Sequence, residues 1–202
     1  MGISARQFED LQARLRAPRR IADPVPDRVV PAGARRHETV LGIDPSLRGT
    51  GWGVIAVGEG EPRALGFDTI RCPAGWARSR CLVRIAGALR EAIQRHGPTA
   101  CAIEGLFFAQ NLQTALLMGE ARGVCLLAAA EAGLEICEIA PRQVKQAIVG
   151  FGGAQKLAVA RMVQRMLRLT ETPPDDAADA LALALVHARE TGRFTLTPRK
   201  RL

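Results

Sequence analysis

The feature that most constrains the fold is a change, part-way along the chain, in the spacing of apolar residues. Between Val40 and Ile70 three short runs, VLGID, GWGVIAV and RALGFDTI, are separated only by turns rich in Pro, Ser, Gly and acidic residues. Runs of that length bounded by such turns predict an antiparallel meander of three strands. From Arg78 to His96 the period becomes helical, with Leu82, Ile85, Ala86, Leu89 and Ile93 on one stripe and Gly97-Pro98 as the stop. After that, strands and helices alternate. CAIE ends at Glu104, a long helix runs from about Asn111 to Ala132 before Gly133, and LEICEI is the next strand. Pro141 opens a short helix ending at Gly150, a further helix spans Lys156 to Leu169, and the last runs from about Asp175 to Arg189. The fold class this predicts is α/β: a five-stranded mixed sheet, three antiparallel strands and then two parallel, flanked by helices.

With 202 residues, 48% of them hydrophobic, the chain can bury one substantial core, and a single domain with tails is expected. Residues 1–38 hold eight arginines and five carboxylates around a weak helical pattern and predict a flexible basic arm. The domain proper is expected at 39–190, followed by a basic tail over 191–202. A net charge of +8 points to a polyanionic partner, nucleic acid first and anionic membrane second. No stretch reads as approaching the ~18 apolar residues of a bilayer span and the Arg-rich start lacks the apolar segment of a secretory signal, so a soluble, cytoplasmic protein without a membrane partner is expected. The five cysteines form no C-x-x-C pair; Cys101, Cys125 and Cys137 lie in apolar runs, where cysteine packs as a small hydrophobe.

Carboxylates in apolar surroundings carry the chemistry. Asp44 closes the run VLGI, and Glu104 closes CAIE. Acids at the ends of buried strands sit where open α/β sheets place their ligand sites, although an Asp before Pro45 also serves as an ordinary turn former. In TPPDDAADALALALVHA, Asp176 and Asp179 stand three apart on a helix otherwise made of Ala and Leu, which puts their Cβ atoms roughly 5 to 6 Å apart. N-terminal capping accounts for one acid, and that role is assigned to Asp175. Four carboxylates crowded together would repel one another unless a divalent cation neutralised them, and oxygen-only ligands favour Mg²⁺ or Mn²⁺ over zinc.

These segments resemble the RuvC-type Holliday-junction resolvases of the RNase H-like superfold. LGIDPSLRGTGWGVI is similar to the family's opening hairpin, AIEGLFFAQN to its second acidic strand, and RQVKQAIVGFGGAQK with DAADALALA to its carboxyl half. The likeness covers about residues 39 to 190, and the middle and late segments are its more specific part. It implies that Asp44, Glu104, Asp176 and Asp179 are catalytic and hold two Mg²⁺ ions, with Mn²⁺ able to substitute, and that Lys145 and Lys156 contact DNA. The chain has three lysines against twenty-five arginines, so a compact ammonium at these positions suggests a phosphate contact, the alternative being a solvated helix face. Phe107 matches the position implicated in opening the junction centre, where an exposed aromatic can stack on bases, while Phe108 is expected to be packing. Ser46 departs from the glycine that many members carry there, and the doubled Asp175-Asp176 leaves a one-residue ambiguity.

The activity implied is magnesium-dependent, paired nicking of four-way DNA junctions that leaves 5′ phosphates, in recombination and repair. The implied assembly is a homodimer with a possible branch-migration motor as partner. Leu112, Ala115, Leu116 and Gly119 form a stripe that suits either a dimer seam or core packing. Three rival readings are an actin-like kinase or ATPase, a non-catalytic junction-binding protein, and an RNase H-type nuclease acting on RNA–DNA hybrids. His187 lies about 16 Å along the helix from Asp176, too far for a catalytic base.

Overall fold

The computed structural model describes residues 39–58, 60–105 and 112–190. Its sheet has the order β3-β2-β1-β4-β5, built from β1 (Thr39–Asp44), β2 (Gly49–Ala56), β3 (Arg63–Arg71), β4 (Ala100–Glu104) and β5 (Glu135–Ile139). β1 pairs antiparallel with β2 and β2 with β3, whereas β4 runs parallel to both β1 and β5. This is the mixed sheet the sequence predicts. The helices are α1 (Arg78–His96), α2 (Leu112–Glu131), α3 (Pro141–Val149), α4 (Lys156–Met166) and α5 (Asp175–Glu190).

Period-two alternation sends each strand's side chains to two cores. Leu41, Ile43, Val54 and Ile103 meet α1 and α2 on one side, while Val40, Ile55, Ala102 and Ile139 meet α3, α4 and α5 on the other. Asp44 and Glu104 therefore belong to the second face. Two punctuation signals act as expected: Gly97 ends α1 at φ 55° with its N–H on the Ile93 carbonyl, and Gly150 ends α3 at φ 85°.

Three expectations are corrected. Helix α4 stops at Met166 instead of Leu169. Arg168 takes φ 52° there, its N–H donates to the Arg165 carbonyl and that of Leu169 to Gln164, a Schellman ending made without the usual glycine. At the start of α5 the Pro174 carbonyl accepts the N–H of Ala178 at 2.8 Å, so Pro174 holds the N-cap position and Asp175 is the first helical residue. Finally, α2 is long and apolar enough to cross a membrane by length and composition. In the fold it lies on α1 through Arg78–Glu120 at 3.1 Å and Arg90–Glu131 at 2.9 Å, packing Ala121, Cys125, Ala128 and Ala129 into the core. Leu112, Leu116 and Leu127 stay outside.

The four cysteines Cys72, Cys81, Cys101 and Cys125 are buried, Cys137 is half-buried, and all five are free thiols. Burial pushes Cys101 and Cys125 up to about 12, the behaviour of inert packing groups. His187 is buried as well.

Candidate active site

Parallel pairing of β1 with β4 sets Ile43 opposite Ile103, so the next residues, Asp44 and Glu104, lie side by side at the carboxyl ends of neighbouring strands. The two carboxyl groups share a hydrogen bond. Just past β1, the hydroxyl of buried Thr50 donates to the Ser46 carbonyl and accepts from the Ser46 N–H at 3.2 Å, which fixes the turn after Asp44. Sequence reasoning missed Thr50; a threonine inside a glycine-rich strand segment was the available signal.

Helix α5 delivers the other acids, and glycines in the sheet determine how closely it can approach. Gly42 and Gly51 lie under its backbone: a Cβ on Gly42 would stand 1.8 Å from the Ala180 carbonyl oxygen, and one on Gly51 1.9 Å from that of Asp176. No side chain fits in either place. Gly51 is also the register partner of Asp44. The contact that excludes a side chain thus places the start of α5 over the end of β1.

Asp44, Glu104, Asp179, Lys145 and Lys156 line one cleft of about 260 Å³, whose apolar wall includes Val144, Val159 and Leu183. Asp176 stands to one side, with its carboxylate above Gly49 and within the electrostatic reach of Lys156, Asp179 and Arg71. The Lys156 ammonium donates to Asp179 at 2.9 Å. Phe107 and Phe108 lie outside the described residues.

The electrostatics are those of a site short of positive charge. Burial pushes Asp44 up to about 8, helped by the charge and hydrogen bond of Glu104 and the charge of Asp179, against the pull of Lys156. Burial also raises Glu104, while its hydrogen bond from Asp44 and the two lysines oppose that. The two carboxyls therefore titrate together and not independently. Burial raises Asp176 too, and the bond to Asp179 raises Lys156. Among the described residues no three carboxylates stand close enough to ligate one ion as their side chains lie. The donor set nonetheless fits a hard divalent cation: oxygen ligands alone, burial that disfavours their negative charge, and an ammonium occupying one carboxylate.

The profile described as crossover junction endodeoxyribonuclease RuvC matches residues 40–187. The chain belongs to the RuvC family. A RuvC of Moorella thermoacetica is 51% identical over 150 residues, covering 74% of this chain and 90% of that protein. One from Rubrobacter xylanophilus is 45% identical over 157 residues, covering 77% and 88%. The solved structure of Thermus thermophilus RuvC in complex with a Holliday junction substrate superposes with TM-score 0.70 at 40% identity, over 75% of this chain and 93% of that one. The yeast mitochondrial Holliday junction resolvase Ydc2, at TM-score 0.54 and 11% identity, shares the fold. RuvC membership makes the chain a nuclease of the RNase H-like class.

Proposed function

We propose that this chain resolves four-way DNA junctions by metal-dependent hydrolysis, nicking two strands at matching phosphates and leaving 5′ phosphate ends, in homologous recombination and repair. The observation that carries this reading is the meeting of Asp44 and Glu104 on adjacent parallel strands, facing Asp179 and two lysines in one cleft, in a chain of the RuvC family. Residues 39–190 are the nuclease domain in this reading, with basic segments over 1–38 and 191–202.

Asp44, Glu104, Asp176 and Asp179 would hold two Mg²⁺ ions, with Mn²⁺ substituting. Such ions supply charge neutralisation and Lewis acidity to phosphodiester hydrolysis. The residues do the remaining work. Asp44 and Glu104, in their ionised forms, would offer four oxygens for ligation. Lys156, released from Asp179, and Lys145 turn their ammonium groups to the phosphate and stabilise charge developing on its oxygens. Water attacks phosphorus in line with the departing 3′ oxygen. Phe107, in the segment after Glu104, is assigned to the unpaired bases at the branch point.

A homodimer would supply two such centres for two nicks. The exposed Leu112 and Leu116 of α2 support the seam, since their stripe is absent from the core that α2 builds with Ala121 and Cys125. The cytoplasm and a branch-migration motor complete the proposal.

Cleavage of a mobile four-way junction in Mg²⁺ is the direct test, with linear duplex and RNA–DNA hybrid as competing substrates. Asp44→Asn and Glu104→Gln are expected to bind the junction and lose cleavage by at least about 10³-fold, the scale of lost transition-state charge stabilisation. Full nicking by either variant, or preference for the hybrid, would refute the assignment.

A further inference from the structure

The turn Gly150–Gln155 joins α3, which carries Lys145, to α4, which begins with Lys156. At its tip Phe151 leaves 67% of its surface in water, and it is the one aromatic among the large exposed hydrophobics of the described residues. The turn that carries it is fastened at several points. The Gln146 side chain donates to the Gly150 carbonyl at 2.8 Å and accepts the Gly152 N–H at 3.1 Å, so the backbone on both sides of Phe151 is tied to the last turn of α3. The Phe151 carbonyl accepts the N–H of buried Ala154 at 3.1 Å.

The glycines after Phe151 give its ring a seat. A Cβ on Gly153 would come within 2.9 Å of ring atoms Cε1 and Cζ, so the ring rests against bare backbone there. At Gly152 the same atom would meet Arg142 Cγ at 2.8 Å, so the arginine stem lies alongside. The result is an apolar face that is exposed and held in place, with the Arg142 stem beside the turn and Lys145 and Lys156 on the two helices that the turn joins. An immobilised ring loses little conformational freedom on binding, which is the property of an aromatic anchor. Basic residues tracking a phosphate backbone beside an aromatic platform are the recognition pattern for unpaired bases.

We infer that Phe151 is a base-stacking residue for junction DNA, holding a nucleobase near the phosphate that is cut. The inference rests on the junction reading above. Five residues of chain place Phe151 at most about 18 Å from Lys156. At about 3.4 Å per nucleotide that span is roughly five nucleotides along one strand, which sets the scale of the region around the cleaved bond to be searched.

The test is a set of four-way junctions whose nicked phosphate is first mapped in Mg²⁺, each with one 5-iododeoxyuridine at successive positions up to about ten nucleotides on either side of that phosphate, irradiated with the full-length protein in EDTA. One position is expected to cross-link to the peptide containing Phe151. Phe151→Ala is expected to lose that adduct, weaken junction binding about tenfold, the scale of one base–aromatic stack, and keep an unchanged melting temperature. Phe151→Trp retains affinity. No adduct at Phe151 from any position, or junction affinity of Phe151→Ala within twofold of wild type, overturns the inference. A wild-type protein that does not prefer the junction over linear duplex removes the reading beneath it, which is a separate result.

Discussion

At the residue scale the central group is the carboxyl of Asp44, pushed up to about 8 by burial and by two other acids. Its raised value has a definite consequence for stability. A carboxyl whose folded value lies above its unfolded one stabilises the fold fully below the unfolded value of 3.8, and that contribution is lost as pH rises toward about 8. Metal-free protein should therefore melt at progressively lower temperature from pH 4 to pH 8 in EDTA, as far as this group is concerned. Asp44→Asn removes the ionisation and is expected to raise metal-free stability at pH 8 by on the order of 1–3 kcal/mol, while leaving it little changed at pH 4. Thermal denaturation of both proteins across that range checks this, and an Asp44→Asn protein no more stable than wild type at pH 8 would disprove the buried-acid account. The residues at the centre of the site were legible because an acid ending an apolar strand is conspicuous. Their relation was less so: Asp176 and Asp179 read as equivalent in sequence, yet Asp179 faces the cleft with Asp44 while Asp176 stands over Gly49.

At the scale of elements, α5 owes its position to the glycines beneath it. Gly51→Ala forces a methyl group against the Asp176 backbone, which has no flexible end to yield. Overpacking of this kind costs about 1–3 kcal/mol or more, and the displaced helix should carry Asp176 and Asp179 out of register with Asp44, lowering cleavage at least tenfold. Gly53→Ala meets the flexible Leu181 side chain at 2.6 Å and should lose stability with a smaller effect on cleavage. Equal cleavage rates for Gly51→Ala and wild type would show that the helix height is not critical. The end of α4 makes a second element-scale prediction. Arg168 at φ 52° pays the left-handed penalty of a side chain, so Arg168→Gly should stabilise the protein by up to about 1 kcal/mol, less the loss of its exposed ion pair to Glu61. Denaturant titration measures it. Sequence reading overran this helix because the signal it relies on, a glycine after the last turn, is absent there; where glycine is present, at Gly97 and Gly150, the boundaries agree.

At the scale of the whole molecule, α2 presents one face to α1 and the core and another, with Leu112, Leu116 and Leu127, to the outside. The same all-round apolarity explains why it passes for a membrane span by composition. A stripe of this kind is suited to a second copy of the chain. Leu116→Glu is expected to convert a dimer into a monomer in sedimentation at micromolar concentration, with the cleft of each subunit intact and paired nicking replaced by single nicks. A wild-type monomer at that concentration would remove the homodimer from the proposal.

The sequence by itself determined what each segment must become: period two for the strands, period 3.6 for the helices, glycine or proline at most of their ends, and acids where apolar strands stop. These are local matters, set by steric preference and by which side of a segment must leave water. Which acids meet was decided only in the tertiary structure, since it depends on the parallel register of β1 with β4 and on bare backbone at Gly42 and Gly51 receiving α5. Register and close approach are relations between segments far apart in the chain, so no local spacing encodes them.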